Sequence, residues 1–286
     1  MKIIDRKSDP SFFHNVPLEG VSCSLCGGRE TKTLERRDGV GLPVKTVMCR
    51  KCGLIYINPR PTEEWYKDYY NSLGGRQHRY KYGSENRPLP PLGSGFEGAK
   101  KHGRGLALRL GKYMKPGLTI DVGSSEGGVL AGIREIVNIQ PLGIEPVKEE
   151  AGFAASRGIP THAALIENIE FLGIELPPAS NIVCVKSLNH LLNPAKFFSW
   201  AWGALASDGR LILEVKNFRQ QCRRAGRVSS GIQLDHPYMF VPETLAAFVE
   251  RAGFEIVFMD ADELKSRQTI IRQINDGLPA SHIRIA

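Results

Sequence analysis

The segment from Leu118 to Glu145, LTIDVGSSEGGVLAGIREIVNIQPLGIE, decides the fold. It begins with a short apolar run, LTIDVG, and breaks at a glycine-rich turn. It then continues as a helical stretch, GVLAGIREI, and ends in a second run, PLGIE. Strand, turn, helix and strand in that order form the unit of a parallel sheet, because two parallel strands need a crossover to join them. The alternation continues outward. IPTHA, NIVCVKS and RLILEVK read as further strands, and VKEEAGFAASRG, NPAKFFSWAWGALAS and PETLAAFVERAG read as helices. FEIVFMDAD and RQTIIRQIN follow the last helix with no good helix between them and suit an antiparallel addition to one edge. The expected fold class is therefore α/β: a Rossmann-like, doubly wound, mostly parallel sheet with an antiparallel C-terminal edge.

Open α/β sheets bind ligands beyond the carboxyl ends of their strands. The first strand leads into DVGSSEGG, residues 121–128, and then into a helix. Gly123 permits a sharp turn, Gly127 and Gly128 permit close approach of ligand and helix start, and the loop offers free backbone amides. A dinucleotide fingerprint would put glycine at position 125 as well, where Ser125 stands. The second strand ends in Glu145, the position from which a carboxylate can accept both hydroxyls of an adenosine ribose.

Six cysteines fall into two patterns. Cys23 and Cys26 are spaced CxxC, Cys49 and Cys52 repeat that spacing, and Cys184 and Cys222 stand apart. Without an export signal, metal binding explains paired cysteines better than disulfides do. Two CxxC turns face to face supply four thiolates for a tetrahedral Zn²⁺ of structural type. Gly27 and Gly53 follow the pairs directly, as tight turns with positive φ require. Between the pairs, TKTLERRDGVGLPVKTVMC reads as two short strands around a DGVG turn, and LIYINP reads as a third. PTEEWYKDYYNS reads as a short helix, Leu73 to Gly95 as a loop or mobile cover, and Phe96 to Met114 as a helix. The division expected is a zinc ribbon over 1–60, a helical linker and mobile loop over 61–115, and the α/β domain over 116–286.

The chain has 286 residues, 42% of them hydrophobic and 24% charged, which excludes a wholly disordered or fibrous protein. Its longest uncharged stretch, Phe197 to Ser207, is too short for a membrane span, and its first dozen residues lack a secretory core, so a cytoplasmic location is expected. Residues 1–115 carry 22 basic and 11 acidic groups, whereas the rest carry 16 and 19. That asymmetry suits a polyanion-binding face or an ordinary solvated one.

The run from Leu118 to Glu145, the SLNHLLNP segment and the stretch DHPYMFVPETLAAFVERAGFEIV together resemble a class I S-adenosylmethionine-dependent methyltransferase over about residues 96–275. The front end, CSLC with CRKCGLIYINPRPTEEWYKDYY, resembles the zinc-binding segment that precedes such domains in proteins of sugar and glycan biosynthesis. The resemblance implies S-adenosylmethionine as cofactor, with Asp121, Gly123, Ser124 and Gly127 around its methionine part. It also implies Glu145 on ribose, Leu165 and Ile166 flanking adenine, and Ser187 beneath the sulfonium.

A methyl acceptor needs alignment and usually a base. His236 and His190 are the available imidazoles, with Asp235 beside the first, and His236 could equally fix its loop. Sugar C-methyltransferases tend to have Tyr, Glu and His in this stretch, where Gln233, Asp235 and His236 stand. Arg219, Arg223, Arg224 and Arg227 lie in an expected loop, either binding acceptor phosphate or simply solvated. Trp200, Trp202, Phe197 and Phe198 are expected in the core. The activity expected is methyl transfer to a small acceptor, phosphate-bearing in one reading, such as a nucleotide-linked sugar or glycan hydroxyl. The alternatives are an RNA methyltransferase and a noncatalytic scaffold with a vestigial pocket.

Overall fold

The computed structural model describes residues 16–71, 90–172, 176–261 and 282–286. Most of the expected loop after Leu73 and the stretch RQTIIRQIN lie outside these residues. The amino-terminal part contains β1 (Leu18–Glu19), β2 (Thr31–Glu35), β3 (Thr46–Cys49), β4 (Ile55–Ile57) and β5 (Arg60–Pro61). Helix α1 (Glu63–Asn71) follows, with Glu63 and Glu64 in its first turn, where backbone amides favour negative charge. Strands β2, β3 and β4 form an antiparallel meander, and β1 pairs with β5 beside it.

Helix α2 (Phe96–Leu110) leads into β6 (Gly117–Val122), α3 (Gly128–Arg134), β7 (Ile139–Glu145), α4 (Lys148–Ser156) and β8 (Thr161–Ala163). Then come β9 (Ala179–Val185), α5 (Pro194–Ala204), β10 (Leu205–Lys216), α6 (Phe218–Ala225), β11 (Tyr238–Met239), α7 (Pro242–Arg251), β12 (Met259–Ala261) and β13 (His282–Ile285). Helix α5 starts where Asn193 accepts from the Lys196 amide and Pro194 needs no backbone donor. Among the described residues no helix is long and apolar enough to cross a membrane.

The large sheet has the order β12-β13-β10-β9-β6-β7-β8. Strands β8, β7, β6, β9 and β10 run parallel, β13 is antiparallel to β10, and β12 is antiparallel to β13. The expected α/β class with an antiparallel edge is what forms, although among the described residues the antiparallel strand is HIRI, residues 282–285. Its Arg284 is fully buried and donates to Glu214 of β10 at 2.6 Å, and His102 of α2 meets the other Glu214 oxygen at 2.8 Å. Of FEIVFMDAD, only Met259–Ala261 is a strand. Because β6 has β7 on one side and β9 on the other, the chain reverses direction of progress at β6, which opens a crevice at the carboxyl ends of these strands.

Strand β11, from the carboxyl-terminal half, completes the ribbon sheet in the order β11-β4-β3-β2. Cys23, Val47, Cys49, Leu54 and Tyr56 share one apolar core with Phe197, Phe198, Tyr238 and Phe240. The ribbon thus has no separate interior, and α/β residues supply part of its packing. Two expectations change on contact with the fold. Arg219, Arg223 and Arg224 lie in helix α6, capped by Asn217, and not in a loop, and Arg227 follows its end. Trp202 is 56% exposed and packs edge-on against Phe254, because its position on α5 faces away from the sheet, whereas Phe197 and Phe198 are buried.

Candidate active site and cysteine cluster

A cavity opens at the carboxyl ends of β6, β7 and β9, lined by Gly123, Ser125, Glu145, Leu165, Ile166, Lys186, Ser187 and His190. Helix α1 contributes Glu63, Tyr66, Lys67 and Tyr70 to its wall. At Gly123 the backbone has φ +76°, and a Cβ there would lie 2.4 Å from Ser187 Oγ. Any side chain would close this cradle, so the glycine is required by sterics as well as by conformation. The Ser187 hydroxyl itself donates to the Gly123 carbonyl at 3.1 Å.

Glu145 is fixed by two backbone amides: Ser125 N–H donates to Oε2 at 2.8 Å and Val147 N–H to Oε1 at 2.9 Å. Ser125 takes the left-handed region, φ +48°, which explains why glycine would sit easily there. Its hydroxyl donates to Glu150 at 2.7 Å, an anchor that glycine could not provide. Asp121 is 1% exposed, and among the described residues its Oδ1 has no hydrogen-bond partner. Burial, together with the neighbouring Glu145 charge, pushes its carboxyl up to about 8. Asp121, Ser124 and Gly127 lie behind the cavity wall rather than on it. A Cβ on Gly127 would press against Ala154 and Ile159, so this glycine serves the packing of α3 on its neighbours.

The structure brings together His190, Asp235 and His236, with one ligand-type atom of each within 4.8 Å of the others. His190 lines the cavity, whereas Asp235 and His236 are buried behind it and do not. The His190 and His236 rings meet edge to face at 4.5 Å between centroids. His236 is held well below the usual imidazole value by burial, then by the Lys216 and His190 charges. Tyr70, absent from the sequence-derived set, has its hydroxyl 2.9 Å from His190 Nδ1. Tyr66 donates to the Leu234 carbonyl at 2.9 Å, tying α1 to the loop that carries Asp235 and His236. Helix α1 thus brings tyrosines to this cluster, with no local spacing in the sequence to reveal it. Arg219 pairs with Glu243 at 2.7 Å, and none of the four arginines lines the cavity.

Cys23, Cys26, Cys49 and Cys52 converge, with all four Sγ atoms within 4.8 Å. Cys23 Sγ lies 3.4 Å from Cys52 Sγ and Cys26 Sγ lies 3.5 Å from Cys49 Sγ, close to the sulfur spacing of a tetrathiolate metal site. All four cysteines are free of disulfides. Gly27 and Gly53 have φ +71° and +78°, as both CxxCG turns require. Burial raises the Cys49 thiol, but the amides of Cys52 and Lys51 outweigh it and leave Cys49 below the usual thiol value.

The sheet order, the glycine turn at Gly123 and the carboxylate at the end of β7 define a class I methyltransferase. The methyltransferase-domain family model matches residues 100–258, more than half of the chain, and the protein belongs to that family. Among solved structures, the plantazolicin methyltransferase BpumL, in complex with a pentazolic desmethylPZN analog and SAH, is similar at a TM-score of 0.52. Identity is 12% over 77% of this chain and 93% of that one. An S-adenosylmethionine-dependent methyltransferase from Clostridium acetobutylicum aligns at TM-score 0.48 and 12% identity, over 73% and 95% of the two chains. The cyclopropane synthase MmaA2 from Mycobacterium tuberculosis aligns at TM-score 0.44 and 18% identity over 60% of this chain, which spans 66% of that one. No curated protein sequence matches the chain.

Proposed function

We propose that this protein transfers a methyl group from S-adenosylmethionine to a small acceptor, a nucleotide-linked sugar or glycan hydroxyl. One observation carries the reading: a single cavity runs from Glu145 and the Gly123 turn, past Ser187, to His190 and Tyr70. The residues present fit the cofactor. Gly123 leaves a cradle that a Cβ would fill, and Glu145 borders the cavity with its carboxylate fixed by two backbone amides. Glu145 would hold the ribose, Leu165 and Ile166 the adenine, and the Gly123 turn with Ser187 the methionine end. When bound, the cofactor supplies an electrophilic methyl on a sulfonium.

The chain's own work is then to align the acceptor oxygen and remove water. Tyr66, Tyr70 and Leu191 narrow the cavity opposite the strand ends, so the acceptor would enter a largely apolar channel. His190, Asp235 and His236 are the groups that would activate its hydroxyl. The sugar assignment rests on the resemblance of the amino-terminal cysteine segment to those of sugar-modifying relatives. The Cys23, Cys26, Cys49 and Cys52 cluster would hold one structural Zn²⁺, with four thiolates leaving no position for a reacting ligand.

Incubation with S-adenosylmethionine carrying a labelled methyl group, against a panel of nucleotide sugars and against RNA, tests the reading. Label in a nucleotide sugar is expected. Label in RNA alone, or in neither with the cofactor bound, would overturn it.

A further inference from the structure

The cluster formed by His190, Asp235 and His236 has a composition that a base alone does not require. Two imidazoles and one carboxylate come from two separate segments, the turn after β9 and the loop before β11, and present nitrogen and oxygen atoms within 4.8 Å of one another. Asp235 is 6% exposed, and its buried Oδ1 has no hydrogen-bond partner among the described residues. Leaving such an oxygen unpaired in a protein interior costs more than a hydrogen bond returns, so a partner is expected. The nearby cation does not fill that place: Lys216 Nζ donates to Gln233 Oε1 at 2.9 Å. His190 is oriented from behind, its Nδ1 at 2.9 Å from the Tyr70 hydroxyl, which also approaches the Asp235 carbonyl at 3.5 Å. A ligating imidazole is ordinarily held in this way through its second nitrogen.

We propose that His190, Asp235 and His236 form a second metal centre, distinct from the cysteine cluster, for a divalent transition ion such as Zn²⁺, Co²⁺ or Fe²⁺. Two imidazoles and a carboxylate suit these ions, whereas Mg²⁺ and Ca²⁺ prefer oxygen donors throughout. Three protein ligands leave positions open, and His190, the ligand that borders the cavity, sets the ion beside the place where an acceptor would lie. The ion would hold an acceptor oxygen in register with the cofactor. The inference rests on the proposed methyltransferase reading only for that role; the ion site itself stands on the three side chains.

The full-length protein is titrated with Co²⁺ and followed by visible absorption, alongside elemental analysis of the protein as purified. The four-thiolate site gives intense charge-transfer bands. The second centre is expected to add weaker ligand-field bands and a further equivalent of metal. Asp235→Asn and His236→Ala should each remove the second set and leave the thiolate bands intact, whereas Cys49→Ser should remove the thiolate bands. Retained thiolate bands in the first two variants show that they have folded. Identical Co²⁺ spectra and metal content in wild type, Asp235→Asn and His236→Ala would overturn the centre. Methyl transfer at full rate by protein holding metal only at the cysteines would also overturn it while leaving the methyltransferase reading in place. A second metal without any methyl transfer would sink that reading and keep the centre.

Discussion

Tyr238 of β11 sits opposite Tyr56 of β4 in an antiparallel pair, their rings stacked with centroids 6.2 Å apart. This pairing joins a ribbon written at the start of the chain to a loop that carries the candidate acceptor-side residues. The next two residues towards the amino terminus of Tyr238 are Pro237 and His236, and the Pro237 carbonyl accepts from the Ile57 amide at 2.9 Å. The ribbon therefore sets the position of His236.

Loss of metal at the cysteines should then destabilise the whole protein. Cys49→Ser is expected to lower Tm by about 10 °C or more, since a structural zinc contributes several kcal/mol and each about 1 kcal/mol is worth roughly 2–4 °C in a domain of this size. Calorimetry should show one transition moving as a unit. Two transitions, with only the first displaced, would mean that the ribbon folds independently of β11.

Ser125 holds its amide on Glu145 only by staying at positive φ. A β-branched side chain resists that region, at a cost on the order of 1–3 kcal/mol. Ser125→Val should therefore weaken S-adenosylmethionine binding severalfold or more, while Ser125→Gly should bind close to wild type. Equal affinity for the Val and Gly variants, measured by calorimetry, would remove this role from the turn.

Much of this arrangement can be read from the sequence, and the exceptions share a cause. The Gly123 turn, Glu145 and the two CxxCG turns are local patterns, and local patterns survive translation into structure. Tyr70 reaches His190 only through tertiary packing, and β11 is two residues long, below any periodicity. Strand β13 hides a fully buried Arg284 in HIRI, which reads as polar until Glu214 is seen to pair with it. Helix α6 escaped because five of its eight residues are glutamine or arginine, and its apolar line of Phe218, Cys222 and Ala225 is too short and sparse to stand out as a helical period.

Asp121 makes stability depend on pH. Its carboxyl rises from an ordinary 3.8 to about 8 through burial and then the Glu145 charge, so the folded state binds a proton that the unfolded state has released. Stability should fall as pH rises between about 4 and 8, by on the order of 1 kcal/mol per pH unit at most. Asp121→Asn should lose this slope and gain on the wild type most at pH 8. Urea unfolding of both proteins at pH 5 and pH 8 checks the sign, and identical pH dependence would contradict it.

The central claim is that the cavity at the strand ends holds S-adenosylmethionine through Glu145. Titration calorimetry of the wild type and Glu145→Ala with S-adenosylmethionine, and with NAD as the competing nucleotide, tests it most directly. Each charge-assisted hydrogen bond to the ribose is worth roughly 1.5–3 kcal/mol, so the variant should bind at least about tenfold more weakly. Tight NAD binding by the wild type, with none for S-adenosylmethionine, would contradict the account.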